Sequence, residues 1–208
     1  MNEQEIRERL FRIDASSIVD AIDGRNVVSR EIQPFFEPIQ IAGPAFTVQA
    51  PAGEAMAGIR GVTEAPPGSV VVINTSGCHH LAPVGEMASI TAQRRGLAGL
   101  VCDGPLRDKP AIRRLGFPVY ARGVALKAVV RGESLGELGV PVELGGVTVR
   151  PGDWIVGDDD GLVVVPAAEL EAALERAEAS YRLEDRVRNG EDIRIVKGFT
   201  QLVALMRP

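Results

Sequence analysis

Two neighbouring residues with complementary chemistry, Arg107 and Asp108, lie on a short loop between a predicted strand and a predicted helix. The strand is the apolar stretch from Leu97 to Cys102, and the helix runs from Pro110 to Leu115, where Gly116 ends it. Open α/β layers bind ligands at the carboxyl ends of their strands, which is where this loop begins. An arginine offers a planar fork to a carboxylate, and an aspartate offers hard oxygen atoms to a divalent cation. The pair predicts a site for a small oxo-acid held on a metal ion, although adjacent Arg and Asp residues also form ordinary solvated surface pairs.

A second candidate element is the segment Gly85-Glu86-Met87-Ala88, which opens a helix predicted to run to Arg95, just before Gly96. The first turn of a helix presents unpaired backbone N–H groups that bind anions, and Glu86 adds a carboxylate there. The helix leads directly into the strand that precedes Arg107. The order helix, strand, loop does not determine whether the start of the helix lies beside the exit of the strand.

The hydrophobic pattern of the rest of the chain predicts a mixed α/β fold. Strands are predicted at Ala45 to Gln49, Ser69 to Asn74, Leu97 to Cys102, Val119 to Ala121, Val147 to Val149, Trp154 to Val156 and Leu162 to Val165. Between Val140 and Val165 the strands are short and are joined by Gly and Asp turns, which indicates an antiparallel layer. The run Asp158-Asp159-Asp160-Gly161 is interpreted as a hairpin turn, because it lacks the spaced ligands and distal glutamate of a calcium loop. This mixture favours two sheet layers plus helices.

Helices are predicted at both ends of the chain. Glu3 to Phe11 and Ser16 to Ile22 form N-terminal helices within residues 1–24, and both are expected to be peripheral. A long helix from Ala168 to Asn189 begins a C-terminal helical segment, residues 168–208. Its apolar stripe predicts a packing face against the chain's own core or against a neighbouring subunit. The stripe consists of Leu170, Leu174, Ala177 and Tyr181, and the spacing also predicts the ion pairs Glu178–Arg182 and Glu184–Arg188.

The composition of the chain restricts its domain number, its partners and its location in the cell. With 208 residues, 45% of them apolar, the chain can bury one good core, and residues 1–208 are most simply one domain. The formal net charge of −5 and the scarcity of aromatic residues argue against a nucleic-acid partner. No stretch is apolar for long enough to span a membrane, and the charged start does not resemble a secretory signal, so we expect a cytoplasmic protein. Cys78 and Cys102 are expected to be unpaired thiols.

An ordered set of short motifs resembles the RraA-like family over nearly the whole chain. The central motifs are Gly85-Glu86-Met87-Ala88, residues 96–101, Asp103-Gly104, Arg107-Asp108, residues 116–119 and Arg122-Gly123, and the outer ones are residues 41–48, 67–72, 145–153 and 158–166. That family includes 4-hydroxy-4-methyl-2-oxoglutarate aldolases with oxaloacetate decarboxylase activity. The resemblance implies a compact three-layer β/β/α sandwich, similar to the swivelling phosphohistidine domains. It also implies a homotrimer or homohexamer whose site lies at a subunit boundary, where an acidic residue of the neighbour, with Glu184 as a candidate, supports the metal waters.

The resemblance and the residues together give a hypothesis for the site. A 2-oxo acid substrate would place its carboxylate against Arg107 and the backbone N–H groups of Gly85, Glu86, Met87 and Ala88. Asp108 would hold Mg²⁺, or alternatively Mn²⁺ or Co²⁺, and Glu86 would hold a metal water. Asp103 either does the same or shapes the Asp-Gly turn. Retro-aldol cleavage and decarboxylation of oxaloacetate leave the same pyruvate enolate, so one site can serve both reactions.

Several features limit this hypothesis or compete with it. The resemblance implies a water near Arg107 as the base for the C4 hydroxyl, with His79 or His80 as the local alternative. The family more often carries aspartate where this chain has Glu86, and the segment from Ala52 to Arg60 matches its pattern poorly, which leaves the far end of the substrate open. The competing function is that of a non-catalytic, trimeric regulatory binding protein of the ribonuclease E inhibitor type. A third possibility is another metal-assisted lyase or hydrolase acting on a different oxo-acid.

Overall fold

The computed structural model describes residues 1–129 and 134–199. The helices are α1 (Glu3–Leu10), α2 (Ala15–Ala21), α3 (Met56–Glu64), α4 (Glu86–Arg94), α5 (Lys109–Leu115), α6 (Leu170–Arg188) and α7 (Ile193–Val196). The strands are β1 (Gln33–Pro34), β2 (Ile41–Gln49), β3 (Val70–Asn74), β4 (Gly99–Cys102), β5 (Val119–Ala121), β6 (Glu137–Leu138), β7 (Val142–Leu144), β8 (Val147–Val149), β9 (Trp154–Asp158) and β10 (Gly161–Val165).

A parallel block of four strands forms the centre of the sheet. Strands β2, β3, β4 and β5 pair in that order, with Val72 of β3 opposite Thr47 on one side and Val101 on the other. Every residue of β3 and β4 is buried, as expected of parallel strands that are covered on both faces. The carboxyl ends of β3 and β4 therefore lie side by side, and the loops that follow them meet at one edge of the sheet.

The sheet curls because β2 pairs with different partners along its length. Its first half pairs antiparallel with β9, its second half runs parallel to β3, and its end also pairs with β6. With β10 beside β9 and β1 beside β5, the sheet has eight strands within the described ranges. Near the two open edges, the N–H group of Val28 donates to the carbonyl of Leu162 at 3.0 Å. The result is a nearly closed, barrel-like mixed sheet.

The predicted mixed α/β composition is confirmed, and so are the antiparallel pairs in the second half of the chain. The expected two layers of strands are largely the two sides of this one curled sheet, together with the separate hairpin of β7 and β8. The hairpin turn predicted at Asp158 to Gly161 is present, with those two residues paired opposite each other. Positive φ occurs in that turn at Gly161 and not at its aspartates.

The buried apolar residues form separate clusters on the two sides of the sheet. One cluster fills the space between the sheet and helices α3, α4 and α5, and it includes Val48, Ile73 and Ile112. A second fills the inside of the curl and includes Val72, Val101 and Leu144 of the β7–β8 hairpin. Burial of large aliphatic side chains on both faces supplies the main driving force that holds β3 and β4 in the centre.

The two N-terminal helices are not peripheral, in contrast to the expectation from sequence. Ile6, Leu10 and Ile18 of α1 and α2 are buried in a third cluster with Leu174 of α6 and with the outer face of β9 and β10. Charged residues cover the other faces of these short helices, which is why the sequence pattern resembles surface helices. Residues 200–208 of the predicted C-terminal segment lie outside the described residues. In the described part of the chain, no helix has the length and hydropathy required to cross a membrane.

Candidate active site

The loop that carries Arg107 and Asp108 leaves the carboxyl end of β4 and ends where α5 begins. Leu106 is fully buried and fixes the loop in the core. Its N–H group donates to the carbonyl of Gly123 at 3.1 Å, and its carbonyl accepts from the N–H group of Ala125 at 2.9 Å. These backbone bonds tie the loop to the segment that follows β5. The two residues after Leu106 are consequently presented from a rigid support at the end of the parallel strands.

Asp108 occupies the N-cap position of α5 with left-handed backbone dihedral angles, φ 62° and ψ 30°. Asp is one of the few residues other than Gly that adopt this conformation readily. Its side chain does not cap its own helix. Instead, the Oδ2 atom accepts a hydrogen bond of 3.1 Å from the backbone N–H group of Glu86, the first residue of α4. The left-handed turn thus directs the carboxylate away from α5 and toward the start of another helix.

Gly85 makes this close approach possible. A Cβ atom at this position would lie 2.4 Å from Oδ2 of Asp108 and 2.7 Å from Cγ of Arg107. Both distances are far below van der Waals contact, so a side chain would push the loop away from α4. The structure therefore answers the question that the sequence left open, because it brings Gly85 and Glu86 together with Arg107 and Asp108.

Arg107 is half-exposed beside this carboxylate. Its Nε atom donates to Oδ2 of Asp108 at 3.2 Å, and 43% of its side-chain surface is accessible. Among the described residues, no hydrogen bond engages its two terminal nitrogens or the Oδ1 atom of Asp108. The guanidinium fork and one carboxylate oxygen are therefore available to a ligand. An exposed pair of this kind contributes little to stability, which is consistent with a role in binding.

The start of α4 adds backbone donors to the same place. The N–H groups of its first residues have no partner within the helix, and the one on Glu86 is used by Asp108. Those of Met87 and Ala88 remain available to an anion. The Met87 side chain is 83% exposed and Ala88 is half-buried. The predicted substrate-binding residues of α4 thus lie next to Arg107.

Asp103, five residues before Asp108, has a structural role. Its carboxylate is 7% exposed and accepts hydrogen bonds from the N–H and hydroxyl groups of Thr75, each at 2.7 Å. The side-chain amide of Asn74 donates to it at 3.1 Å. Burial raises the pKa of Asp103, and the bonds from Thr75 oppose that shift. These contacts support a role for Asp103 in shaping the Asp-Gly turn and joining the ends of β3 and β4.

The two histidines lie on the exposed loop after β3. His80 approaches the sulfur of Cys78 at 4.0 Å, and the proximity of His79 partly offsets the rise in the pKa of Asp103 that burial causes. No hydrogen bond links either ring to Arg107 or Asp108. In the described ranges, no three His, Cys, Asp or Glu side chains cluster as they would around a tightly held metal. Cys78 and Cys102 are both free thiols, as expected.

Sequence reasoning missed an apolar groove beside Arg107. The groove lies between α3 and α4, with a volume of about 300 Å³, and Ile59, Val62 and Met87 are among its lining residues. The poorly matching segment from Ala52 to Arg60 overlaps the first half of α3. The available signal was the spacing of Met56, Ile59 and Val62, which places apolar residues on one side of a helix.

A wider depression of about 660 Å³ lies near the β9–β10 turn and is lined by Asp158, Asp159 and Asp160. The carboxylates of Asp158 and Asp159 accept hydrogen bonds of 2.8 Å from the backbone N–H groups of Ala15 and Ile39. These aspartates fasten neighbouring loops to the turn. The arrangement agrees with the interpretation of this run as a structural hairpin.

The C-terminal helix contributes no residue to the site within the chain itself. Leu174 and Ala177 of its stripe are buried against the chain's own core, and Tyr181 lies at the border. Glu184 pairs with Arg188 at 3.2 Å, as its spacing predicts. Glu178 instead binds Arg9 of α1 through contacts of 2.6 and 2.8 Å. The proposed contact of Glu184 with a neighbouring subunit stays a prediction.

Comparison with known proteins places the chain in a family. Residues 15–164 match the family model described as RraA-like, Aldolase/RraA. A candidate 4-hydroxy-4-methyl-2-oxoglutarate aldolase of Halalkalibacterium halodurans is 39% identical over 165 residues, which cover 79% of this chain and 78% of that protein.

Solved structures agree with the sequence comparison. A crystal structure of a Pseudomonas syringae protein matches with a TM-score of 0.84 at 27% identity and covers 95% of each chain. Streptomyces coelicolor RraAS2, described as an unusual member of the RNase ES inhibitor RraA protein family, matches with a TM-score of 0.78 at 28% identity, covering 90% of this chain and 97% of that one. On these grounds, the chain belongs to the RraA-like aldolase/RraA family.

Proposed function

We propose that the protein is a divalent-metal-dependent class II aldolase that cleaves 4-hydroxy-2-oxo acids, of the 4-hydroxy-4-methyl-2-oxoglutarate type, to pyruvate. The same site decarboxylates oxaloacetate, since both reactions leave the pyruvate enolate. The observation that carries this proposal is the meeting of α4 with the loop after β4, where Glu86 and Arg107 both donate to one oxygen of Asp108. The relative with 39% identity supports it.

Arg107 and the start of α4 bind the 2-oxo acid end of the substrate in this proposal. The terminal guanidinium nitrogens of Arg107 receive the carboxylate in a bidentate manner, and the N–H groups of Met87 and Ala88 add further donors. These groups are fixed by the hydrogen bonds and close contacts of Gly85 and Glu86 before substrate arrives. Pre-positioning of this kind lowers the entropic cost of reaching the reactive geometry.

Asp108 is the proposed protein ligand of Mg²⁺, with Mn²⁺ or Co²⁺ as alternatives. Its Oδ2 atom already accepts two hydrogen bonds, so the Oδ1 atom is the one left for a cation. A lone carboxylate fits a cation that retains most of its water ligands, and in this proposal Glu86 orients one of those waters. When bound, the cation supplies Lewis acidity toward the keto oxygen, where negative charge develops.

Proton transfer in the aldol reaction needs a base for the C4 hydroxyl group. We assign this role to a water beside Arg107, because the guanidinium group can orient it while remaining fully protonated. His79 and His80 make no hydrogen bond to Arg107 or Asp108, so they are the less favoured alternative. Met87, beside this site, is exposed, so a neighbouring subunit that covers it would help to keep bulk water away from the enolate.

We further propose that the protein assembles as a homotrimer or homohexamer with the site at a subunit boundary. Met87 is 83% exposed beside Arg107, and Ile59 is 45% exposed on the neighbouring helix α3. An apolar surface of this kind next to a polar site is typical of an interface. Light scattering coupled to size-exclusion chromatography measures the assembly directly.

The test is pyruvate formation from oxaloacetate and from 4-hydroxy-4-methyl-2-oxoglutarate, with Mg²⁺ and with EDTA, coupled to lactate dehydrogenase. Asp108→Asn is the informative variant, because Asn tolerates the left-handed backbone and retains an acceptor for Glu86. We expect EDTA to abolish turnover and Asp108→Asn to reduce kcat/KM by about 100-fold or more. Asp160→Asn, an exposed aspartate on the β9–β10 turn, is the matched control and should match wild type.

Absence of metal-dependent pyruvate from both compounds would contradict the proposal. The second candidate function is then a non-catalytic, trimeric regulatory binding protein of the ribonuclease E inhibitor type. The observation in favour of that function is the structural similarity to RraAS2, with a TM-score of 0.78. If Asp108→Asn releases pyruvate at the wild-type rate, the protein is still an aldolase, but Asp108 is not the ligand of the metal ion.

A further inference from the structure

The second half of α6 and the helix α7 form an arm whose apolar side chains have no cover. We call residues 181–199 the C-terminal arm. The first half of α6 is anchored in the core by Leu174 and Ala177. Within the described ranges of the chain, by contrast, no residue of the C-terminal arm is buried. Its most exposed apolar side chains, each between 36% and 54% accessible, are Val187, Ile193, Ile195 and Phe199.

The C-terminal arm pairs several of its charged groups with one another. Arg186 binds Glu191 at 2.6 Å, and Arg188 binds Glu184 at 3.2 Å. The N–H group of Glu191 also donates to the carbonyl of Arg186 at 3.0 Å, which folds the turn between α6 and α7. Exposed pairs contribute little stability, and a four-residue helix such as α7 is marginal in water by itself. The arm therefore needs a surface that covers its apolar side chains.

The groove between α3 and α4 is an uncovered apolar surface of the same chain. Ile59 and Met87, two of its lining residues, are exposed. Its threonines, Thr63 and Thr91, donate their hydroxyl groups to carbonyls of their own helices, at 2.9 Å in each case. In the part of the chain that the structure describes, no residue of the C-terminal arm lines this groove. The arm thus does not fill the groove of its own chain.

We propose that the C-terminal arm of one copy of the chain docks in the α3–α4 groove of a second copy. This inference rests on the assembly included in the proposed function and identifies the two surfaces that form it. Docking covers the exposed isoleucines of the arm together with Ile59 and Met87, which removes apolar surface from water on both sides. The charges that pair within the arm need no partner from the groove, so Arg107 and the free N–H groups of α4 remain for the substrate.

The proposed contact joins two different surfaces, so a copy can offer its arm to one neighbour and its groove to another. Such a heterologous contact repeats head to tail and closes into a ring when the rotation allows. In a ring every arm finds a groove, which a homotrimer achieves with one ring and a homohexamer with two. Because Gly85 and Arg107 also line the groove, the arm of the neighbour covers the candidate site on its α3 side.

A photo-reactive side chain in the groove tests which segment occupies it. We would place p-benzoylphenylalanine at Ile59, an exposed lining residue, and irradiate the full-length protein. We expect a cross-linked product of twice the chain mass on a denaturing gel, and mass spectrometry should locate the attachment within residues 181–199. The same probe at Val27, which is 50% exposed and lies outside the groove, is the matched control and should not capture the arm. Attachment outside the arm, or no product of doubled mass from the probe at Ile59, would overturn the inference.

Charges placed on either surface test the same contact through its strength. Ile59→Asp in the groove and Ile195→Asp on the arm each place a carboxylate against apolar surface of the other copy, which is unfavourable. Light scattering coupled to size-exclusion chromatography, over a dilution series, should show the Kd for association rising by about 100-fold or more in both variants. Val27→Asp should assemble as the wild type does. An unchanged Kd in Ile195→Asp would show that the arm is not the occupant and would overturn the inference.

Turnover measured in parallel separates this inference from the aldolase assignment, because assembly is detected without substrate. If the arm is cross-linked to the groove but no pyruvate is released, the inference holds and the aldolase assignment fails. If metal-dependent pyruvate is released but the arm is not cross-linked to the groove, the aldolase assignment holds and the inference fails.

Discussion

Replacement of Gly85 by alanine tests whether the contact between α4 and the loop that carries Arg107 and Asp108 matters for the proposed activity. The φ angle of Gly85 is −159°, which any residue can adopt, so backbone strain does not arise. The added methyl group would lie 2.4 Å from Oδ2 of Asp108 and 2.7 Å from Cγ of Arg107. Ordinary contact begins at 3.4 Å, so the carboxylate must retreat by about 1 Å and the arginine stem by about 0.7 Å. The perturbation therefore acts on the two proposed functional side chains.

A displacement of about 1 Å at positioned groups lowers activity by roughly 100-fold. We therefore expect kcat/KM for pyruvate release from oxaloacetate to fall by about this factor in Gly85→Ala. Gly116→Ala is the matched control, because Gly116 ends the helix that Asp108 begins and has open space around it. Its φ of +68° makes alanine unfavourable by about 1 kcal/mol, which lowers the Tm by a few degrees. Its activity should remain that of the wild type.

The pair of variants separates local geometry from global stability. Gly85→Ala should retain its circular dichroism spectrum and most of its Tm while losing turnover, whereas Gly116→Ala should have a lower Tm and retain wild-type turnover. If Gly85→Ala keeps kcat/KM within threefold of wild type, the spacing between α4 and the loop is not required for catalysis. Asp108 and Arg107 would then not need the positions seen in this structure for activity.

Two further predictions concern carboxylates outside the reaction. Burial raises the pKa of Asp103, so the folded state binds its proton more tightly than the unfolded state, and the ionised group reduces stability above its folded pKa. Urea unfolding at pH 7 and at successively lower pH values should show the wild type gaining stability relative to Asp103→Asn as the pH falls through the raised pKa of Asp103. Arg9 lowers the pKa of Glu178, so Glu178→Gln should lose about 1 kcal/mol at pH 7 without loss of activity, a difference that shrinks as the pH falls through that lowered pKa. An unchanged difference at pH 7 and pH 3 would contradict this assignment.

The sequence predicts the strands β5 and β8 correctly but does not predict the helix α3, because the two glycines of α3 disfavour a helix. β5 and β8 were predicted with the bounds that the structure shows, because short apolar runs are bounded by turn residues. The helix α3 was missed, since it contains two glycines and glycine disfavours helices. In the fold, a Cβ atom on Gly61 would lie 2.6 Å from a methyl group of Val48. The glycine permits close packing of helix on sheet, a tertiary requirement that local propensity does not reveal.

Local spacing also misassigned one ion pair. The four-residue spacing of Glu178 and Arg182 predicts a pair along one helix, yet Glu178 binds Arg9 from α1. Those partners are separated by 169 positions in the chain and meet because α1 and α6 cover the same side of β9 and β10. The same reason explains why the groove beside Arg107 was not foreseen. Its walls come from α3 and α4, and its shape depends on how these helices pack.

Residue type and spacing do not distinguish Asp103 from Asp108 as a possible metal ligand, whereas the structure does. Both stand on the loop after β4, and the sequence offers each as a possible support for a metal. The structure separates them by their donors: Asp103 is buried and its carboxylate is taken by Thr75 and Asn74, whereas Asp108 is half-exposed with one oxygen left open. The separation arises from the left-handed turn at Asp108 and from the missing side chain at Gly85. The proposed chemistry rests on residue types that the sequence displays, but the proposal of Asp108 over Asp103 as the metal ligand required the backbone conformation.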